Sequence, residues 1–359
     1  MKDAKRVAQH TIYEKISGFT MDNIELKKQM NRVFREAMQE AKRDKCLICG
    51  KLCTSFCNSH IIPQFILKSI AEKGYVLQGV SAFSTPNDKV IESKKGINST
   101  WTFKVICNEC DVKYFADYEN EQALIKEPTT KQLAEIALKN SMMQLAKRYH
   151  EVALYKKFDD RIERKDLLDE EHQLDIRDYQ YDLKRAKKII ENNLKSGYIL
   201  MFYQILNYVT PIAMQGPLAV HRDIDGEIVN DVDNFDHNIK MQQLHIGIFP
   251  LKNSTVVLAF YHKDDRNYIK FNRKFNRLKV GEKLQYINYL VFKYCEHYAV
   301  SPNISEDVLK DDNLVQLVLE ENDSPQHFIS PDDMFFMMNK PLVNWKDIPN
   351  LLDERYKLR

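Results

Sequence analysis

Two pairs of cysteines have the residue types and spacing of a metal site. Each pair reads Cys-x-x-Cys, and a glycine follows the first pair, as in the tight turn of a zinc knuckle. Two such pairs supply the four soft thiolate ligands that tetrahedral Zn²⁺ prefers, whereas chance burial of four cysteines would not give the repeated spacing. The predicted ligands of a structural zinc ion are Cys46, Cys49, Cys107 and Cys110.

The remaining cysteines leave alternatives open. Cys53 and Cys57 lie between the two pairs, and Cys57 has the spacing of a ligand pair with His60. These three residues would form a second zinc site without an evident fourth ligand, or the two thiols are simply half-buried beside the first knuckle. Six of the seven cysteines fall between Cys46 and Cys110, which indicates metal binding rather than disulfides. Cys295, in an apolar helical stretch, is predicted to be a small buried side chain.

A strand and a helix have to position the second pair. Residues 102–106 (TFKVI) predict a strand that leads into Cys107, and the stretch after Cys110 predicts a helix that ends near Glu127 and Pro128. Residues 44–128 are therefore interpreted as a small zinc-binding module. An amphipathic helix at residues 23–43 precedes it, within an N-terminal segment of residues 1–43.

Residues 129–359 are interpreted as a helical and α+β domain of unknown role. Long helices are predicted at 130–157 and 159–195, and the second is so charged that we expect a solvated helix or one half of a hairpin. Residues 197–206 fit a helix or a strand, VVLAFY fits a buried strand, and Asp225-Gly226 is a hairpin signal. Further helices are predicted at 281–299 and 305–321. The predicted fold class is α+β, with a small zinc-stapled ββα (treble-clef-like) module joined to this larger domain.

Composition and charge restrict the function only weakly. The chain has 359 residues and a net charge of +2, so any argument for nucleic-acid binding has to be local. No apolar run has the length of a membrane span, and the charged N-terminus does not resemble a secretory signal, so a cytoplasmic location without membrane partners is expected. The sequence contains no Walker loop, dinucleotide fingerprint or nucleophile elbow.

A basic stretch at residues 266–279 (RNYIKFNRKFNRLK) offers a local argument for nucleic acid. Aromatic residues between cations suit stacking on bases combined with phosphate contacts. The alternative, a strand and loop with buried aromatic rings and solvated cations, is favoured because the net charge lends no support. The candidate nucleic-acid contacts in this stretch are Lys270, Arg273, Lys274 and Arg277.

A second motif lies between the cysteine pairs and completes a family pattern. Residues 59–63 read Ser-His-Ile-Ile-Pro, and the second cysteine pair is followed by Asp111, Lys113 and the pair Tyr118-Glu119. Over residues 44–120 this arrangement resembles the HNH, or ββα-metal, nuclease family in its zinc-ribbon form. It is also similar to a broad set of uncharacterised bacterial proteins with Ser-His-Ile-Ile-Pro. The resemblance also implies that this protein has a role in conflict between bacteria and phages.

The resemblance implies metal-dependent cleavage of DNA or RNA phosphodiesters. His60 then takes the role of general base, because a histidine has a pKa near neutrality. Asp111 and Glu119, on the helix after the second cysteine pair, would be hard oxygen ligands for a catalytic Mg²⁺ or Mn²⁺. Asn98 is nearest to the position of the family's asparagine, and Lys113, a further candidate nucleic-acid contact, stands where many members have His or Lys.

One departure from the family pattern keeps other functions open. Ser59 stands where the family has Asp, Glu or His as a ligand of the catalytic metal. A second hypothesis is therefore a catalytically inactive zinc-binding module that recognises nucleic acid or a protein partner, with His60 in a structural role. A third is an interaction protein whose partner binds residues 129–359, with zinc as a structural staple.

Overall fold

The computed structural model describes residues 23–80, 90–157, 165–232, 234–320 and 343–359. They form an α+β fold of helices around an antiparallel sheet. The strands are β1 (Ser59–His60), β2 (Tyr75–Gly79), β3 (Ile91–Gly96), β4 (Thr102–Phe103), β5 (Tyr198–Leu206), β6 (Ile212–Leu218), β7 (Leu244–Pro250), β8 (Thr255–His262) and β9 (Tyr298–Val300). The helices are α1 (Asn23–Glu40), α2 (Gln64–Ile70), α3 (Asn108–Phe115), α4 (Glu121–Leu124), α5 (Thr130–Lys156), α6 (Lys165–Glu191), α7 (Asn267–Phe275), α8 (Val280–Tyr294), α9 (Glu306–Leu309) and α10 (Asp312–Glu320).

One seven-stranded sheet joins the cysteine-rich region to the rest of the chain. Its order is β3-β2-β9-β6-β7-β8-β5, and every neighbouring pair is antiparallel. Strand β2 pairs with β9, with Leu77 opposite Val300 and Gln78 opposite Ala299. Residues 44–128 therefore contribute two strands, β2 and β3, to a sheet whose other strands come from residues 129–359.

Each face of the sheet is buried against helices. Because successive side chains of a strand point to opposite faces, β8 contributes side chains to two different hydrophobic cores. The first core contains α5 and the Ile-rich stretch around α2, and the second contains α7 and α8. From β8, the first core takes Val256, Leu258 and Phe260, and the second takes Val257, Ala259 and Tyr261. Burial on both faces explains why this strand reads as one continuous apolar run.

Helices α5 and α6 pack against each other beside the sheet. Thr129 caps α5 in a reciprocal capping box with Gln132, which follows the break at Pro128. The expectation of a solvated charged helix is wrong for much of α6, because several of its acidic side chains are buried in ion pairs. Asp175 pairs with Arg148 of α5, and Arg185 makes two hydrogen bonds, of 2.8 and 2.6 Å, to Asp265.

Several predicted boundaries differ from the structure. Residues 198–206 form a strand, and the predicted strand at 102–106 is only two residues long. The helix predicted at 281–299 ends at Tyr294, and Tyr298–Val300 leaves it to pair within the sheet. The stretch predicted at 305–321 divides into α9 and α10. Residues 1–22 of the N-terminal segment and 158–164 of the charged stretch lie outside the described residues.

The Asp225-Gly226 signal coincides with a tight turn. Gly226 has a φ of +82°, which L-residues with side chains rarely adopt, and Arg222 and Ile228 form an antiparallel bridge across it. In the part of the chain that the structure describes, none of the helices has the length and apolar character needed to cross a bilayer.

Candidate functional site

The first cysteine pair lies in a tight turn that the sequence determines locally. The amide of Cys46 donates to the Lys51 carbonyl at 3.0 Å, and the amide of Gly50 donates to the Cys46 carbonyl at 2.9 Å. Gly50 has a φ of +71°, so the glycine after the pair is what allows the chain to turn back. A 2.9 Å hydrogen bond from Leu47 to the Val105 carbonyl brings this turn next to the second pair.

The second pair sits at the start of α3, where Cys107 is the residue before the first helical turn. The backbone amide of Cys107 donates to Cys46 Sγ at 3.5 Å, which links the two pairs directly. The sulfur atoms of Cys49 and Cys107 are 3.9 Å apart, and all four cysteine sulfurs lie within 4.8 Å of one another.

This geometry fits a metal such as zinc. Zn–S bonds of about 2.3 Å in a tetrahedron place sulfurs about 3.8 Å apart, close to the separation found here. Burial, together with the neighbouring thiols, raises the pKa of the Cys110 thiol above its ordinary value, and a divalent cation is the group that would stabilise four adjacent thiolates. All the described cysteines are free, so these thiols are not tied up in disulfides.

Cys53 and Cys57 lie outside this four-cysteine set. Cys53 Sγ contacts the Lys51 carbonyl at 3.4 Å. Burial raises the pKa of Cys57 to about 11, and Asp111 adds to that shift by its charge and a hydrogen bond, so this thiol faces Asp111. Among the described residues, the only group of three or more His, Cys, Asp or Glu donors that lie together is the four-cysteine set. The described residues therefore give no support to Cys53, Cys57 and His60 as a second zinc site, and the intermediate exposure of both thiols agrees with the alternative of half-buried cysteines beside the first knuckle.

His60 is held on a short antiparallel pair of strands. It lies opposite Thr102, and Ile61, Ile62 and Pro63 behind it are buried, which anchors the strand in the first core. One ring nitrogen, Nε2, is 2.9 Å from the carbonyl oxygen of Ile97. Burial lowers the pKa of His60, so the imidazole is neutral at neutral pH.

Asn98 belongs to the turn that carries the Ile97 carbonyl. Its own carbonyl accepts a 3.1 Å hydrogen bond from Asn58 Nδ2, and its side-chain oxygen accepts a 2.6 Å hydrogen bond from Gln64 Nε2. The asparagine therefore ties this turn to the residues on both sides of the Ser-His-Ile-Ile-Pro segment. The turn holds the Ile97 carbonyl in place, and that carbonyl orients the His60 ring.

Ser59 and Asp111 meet directly. Ser59 Oγ donates to Asp111 Oδ1 at 2.7 Å, although the two residues lie on β1 and α3. The aspartate thus faces the residue before His60. The negative charges of Glu119 and Asp111 act to raise the pKa of the imidazole, against the larger lowering by burial.

Glu119 is paired with a lysine from outside the predicted module. Lys139, in the middle of α5, makes a short ion pair with the Glu119 carboxylate, and Tyr118 OH contacts the same oxygen at 3.3 Å. The Lys139 side chain is only 2 % exposed. One turn earlier on α5, Glu135 accepts the Tyr118 amide at 3.0 Å, and burial raises the pKa of Glu135 to about 7.

The oxygen donors around His60 do not fit a catalytic Mg²⁺ or Mn²⁺ as they stand. The neutral Ser59 hydroxyl is hydrogen-bonded to Asp111, and the Lys139 ammonium pairs with Glu119. His60, Asp111 and Glu119 do not bring their donor atoms together in the described part of the chain.

The basic stretch forms helix α7, rather than a strand and loop. Its aromatic rings are buried in the second core and are not free to stack on bases. Lys274 pairs with Asp223, Asp225 and Glu227, and Lys270 also pairs with Glu227. Arg273 and Arg277 are exposed, as is Lys113 on α3. Neither α7 nor any of its cations contributes to the His60 site.

Sequence reasoning missed Lys139 and Glu135 as members of this environment. Their signal was present in the sequence, since a lysine and a glutamate one turn apart in an otherwise apolar stretch must find partners if the helix is buried. In comparisons with known proteins, the sequence matches no protein-family model, and neither a curated protein nor a solved structure shows significant similarity to the chain.

Proposed function

We propose that this chain is an HNH-like nuclease that cleaves DNA or RNA phosphodiesters with His60 as the general base. The observation that carries the proposal is the contact between His60 Nε2 and the Ile97 carbonyl. A carbonyl oxygen only accepts hydrogen bonds, so Nε2 carries the proton of the neutral imidazole and Nδ1 keeps its lone pair. Burial lowers the pKa of His60, which maintains this neutral form near pH 7.

The arrangement around His60 supports the same proposal. The antiparallel pair β1 and β4 precedes helix α3, and the four-cysteine set at the start of α3 ties the three elements together. The pairing supports the zinc-stapled ββα module that the resemblance implies, with α2, β2 and β3 inserted between its two strands. Ser59 and Asp111, at the two positions where that family places ligands of its catalytic metal, are in contact.

The chemical role of each residue follows from its contacts. His60 would accept the proton of the attacking water or hydroxyl through Nδ1, and the Ile97 carbonyl would hold the ring and its tautomer. Asn98 fastens the turn that provides this carbonyl. The resemblance implies Mg²⁺ or Mn²⁺ as well, but because the oxygen donors do not fit such an ion as they stand, the steps assigned to His60 do not depend on it.

The cellular setting is part of the proposal. A four-thiolate metal site requires reduced cysteines, which supports a cytoplasmic location. A part in conflict between bacteria and phages is supported only by the resemblance. Residues 129–359 would recognise a nucleic acid or a protein partner, and Lys139 shows that this region also reaches the candidate site.

A second candidate function is a catalytically inactive zinc-binding module that recognises nucleic acid or a protein. It is favoured by one observation, that both carboxylates near His60 already have partners within the chain, Ser59 and Lys139. In this case His60 is structural, and its bond to Ile97 serves to hold the turn after β3.

Two measurements separate the candidates. Zinc-loaded protein is incubated with single- and double-stranded DNA and RNA, with Mg²⁺, with Mn²⁺ and with neither, and both cleavage and binding are recorded. The nuclease proposal expects cleavage that His60→Ala abolishes at unchanged zinc content. Salt-sensitive binding without cleavage under every condition would favour the inactive module. Loss of zinc in His60→Ala would show that the histidine supports the metal centre instead.

A further inference from the structure

Lys139 is an ammonium group buried at the edge of the His60 site. Its side chain is 2 % exposed, and Nζ lies 4.5 Å from the centre of the Phe115 ring and 5.8 Å from that of Tyr118. A cation in such surroundings is stable only with a close counter-charge, and the Glu119 carboxylate provides it.

Lys139 is fixed in this position by the helix that carries it. Leu138 and Asn140 beside it are fully buried, and Asn140 holds His245 at 3.1 Å and Gln215 at 3.0 Å inside the fold. Rotating α5 to bring Lys139 into solvent would break these contacts. The ammonium is therefore a permanent part of the site rather than a surface charge that folds over it.

The charge of Lys139 reaches the groups around His60. Burial is the largest cause of both shifts, lowering the pKa of the His60 imidazole and raising that of the Cys57 thiol. The charge of Lys139 acts to lower both pKa values, while the charges of Glu119 and Asp111 act to raise them. Lys139 thus supplies positive charge beside the Glu119 carboxylate, near the place where the resemblance implies a divalent metal ion. The Glu119 carboxylate, 29 % exposed, lies between the ammonium and solvent.

We propose that Lys139 is the built-in cation of the His60 site and competes with a divalent cation for Glu119. The site's catalytic role rests on the proposed function, but the competition does not. An ammonium that pairs with a carboxylate removes one of the few ionised oxygen ligands that Mg²⁺ or Mn²⁺ requires. The wild-type protein would then bind such an ion weakly, and removal of the ammonium would release Glu119 as a ligand.

The direction of this effect separates it from structural damage. A substitution that merely disturbs packing around α5 would spread the ligands apart and weaken any metal binding. Loss of a competing charge does the opposite, so a gain in affinity on removing Lys139 has no explanation in a purely structural role.

The experiment measures Mn²⁺ binding to zinc-loaded protein by the electron paramagnetic resonance signal of free Mn²⁺. Lys139→Met removes the ammonium at similar volume, and we expect it to bind Mn²⁺ at least tenfold more tightly than the wild type. The matched control is Lys147→Met, because Lys147 is a second lysine of α5 whose side chain is 10 % exposed and pairs with Glu296. The double variant Glu119→Gln/Lys139→Met should lose the gained affinity, since the released ligand is then absent.

Each result decides the proposal. Equal Mn²⁺ affinity in Lys139→Met and Lys147→Met, or a gain that survives in the double variant, would overturn it. If Lys139→Met does not fold, Lys139→Gln keeps a hydrogen-bond donor without the charge and carries the same expectation. Absence of nuclease activity in the wild type would refute the proposed function, while the Mn²⁺ comparison would still decide the role of Lys139.

Discussion

Ser59 Oγ donates a 2.7 Å hydrogen bond to Asp111 Oδ1, although the two residues belong to different elements and are far apart in the chain. The contact places the residue before His60 against the residue after the second cysteine pair. The partner of the Asp111 carboxylate at this contact is a neutral hydroxyl. Under the proposed HNH-like function, the same two positions would face the catalytic metal, and substitution of Ser59 tests that.

Ser59→Asp should create a site for a divalent cation. Two carboxylates would then lie within hydrogen-bond distance, and their repulsion should lower the free energy of unfolding by about 1–3 kcal/mol without metal. Mn²⁺ should restore the stability, because it binds only the folded arrangement. The measurement is thermal unfolding with and without Mn²⁺. Ser59→Ala is the control, and an equal response to Mn²⁺ in both variants would contradict the expectation.

Cys110→Ser should remove the metal from the four-cysteine set. We expect the purified wild type to contain one zinc ion per chain, and the variant to lose it together with the structure of residues 44–120, because a structural zinc site and its fold form together. Zinc content and circular dichroism are the measurements. Cys53→Ser, outside the set, should keep the ion. A wild type without zinc, or a variant with unchanged zinc content, would count against the assigned ligands.

Glu135 should make stability depend on pH. Burial raises the pKa of this carboxyl from 4.5 to about 7, and the side chain is 1 % exposed. The folded protein therefore holds the proton more tightly than the unfolded chain. The resulting contribution to stability is complete below about pH 4.5 and is lost as the pH rises through about 7.

Glu135→Gln removes this dependence. Relative to the wild type, its free energy of unfolding should be higher by up to about 3 kcal/mol above pH 8, and the difference should shrink toward about pH 5. Urea unfolding across this pH range checks it, with the exposed Glu36→Gln as control. A difference that is constant with pH would mean that Glu135 is not the group responsible.

The cations of the basic stretch at residues 266–279 should divide into two classes. Arg273 and Arg277 are exposed, so their reversal to glutamate should weaken binding of nucleic acid and flatten its salt dependence if this surface contacts phosphates, with little change in stability. Lys274→Glu should instead destabilise the fold, because Lys274 pairs with three acidic groups and is 12 % exposed.

Salt-dependent binding and thermal unfolding of the variants are the measurements. If Arg273→Glu/Arg277→Glu binds nucleic acid as the wild type does, the contact surface lies elsewhere, and Lys113 on α3 is the next residue to reverse. Loss of binding in a Lys274→Glu variant that has unfolded carries no weight, so the folded fraction has to be measured alongside.

The four cysteines and the position of His60 could be predicted from the sequence because short-range spacing determines them. Two thiolates in a Cys-x-x-Cys turn already face one ligand position, and the Ser-His-Ile-Ile-Pro segment couples a polar residue to a buried anchor. The helix at 130–157 could also be predicted, because its apolar content is high and because Pro128 and Thr129 mark its start.

The sheet topology and the partners of the buried charged residues could not be predicted, because they depend on contacts between distant segments of the chain. Strand β2 pairs with β9, which lies far away in the sequence, and no local sequence pattern predicts that pairing. Residues 198–206 could not be assigned from periodicity, because the strand packs on both faces and its apolar residues do not alternate. Lys139 stands out in an apolar stretch of α5, but its partner Glu119 follows only from the packing of α5 against the segment after α3.

The nuclease proposal is tested most directly by the single-turnover cleavage rate of wild type and His60→Ala, at equal and verified zinc content, on single- and double-stranded DNA and RNA. His237→Ala, an exposed histidine that pairs with Glu170 on α6, is the matched control. We predict cleavage by the wild type and by the control, and a rate at least a hundredfold lower for His60→Ala. Equal rates for all three proteins, or no cleavage by any of them with or without Mg²⁺ or Mn²⁺, would contradict the assignment of His60 as a general base.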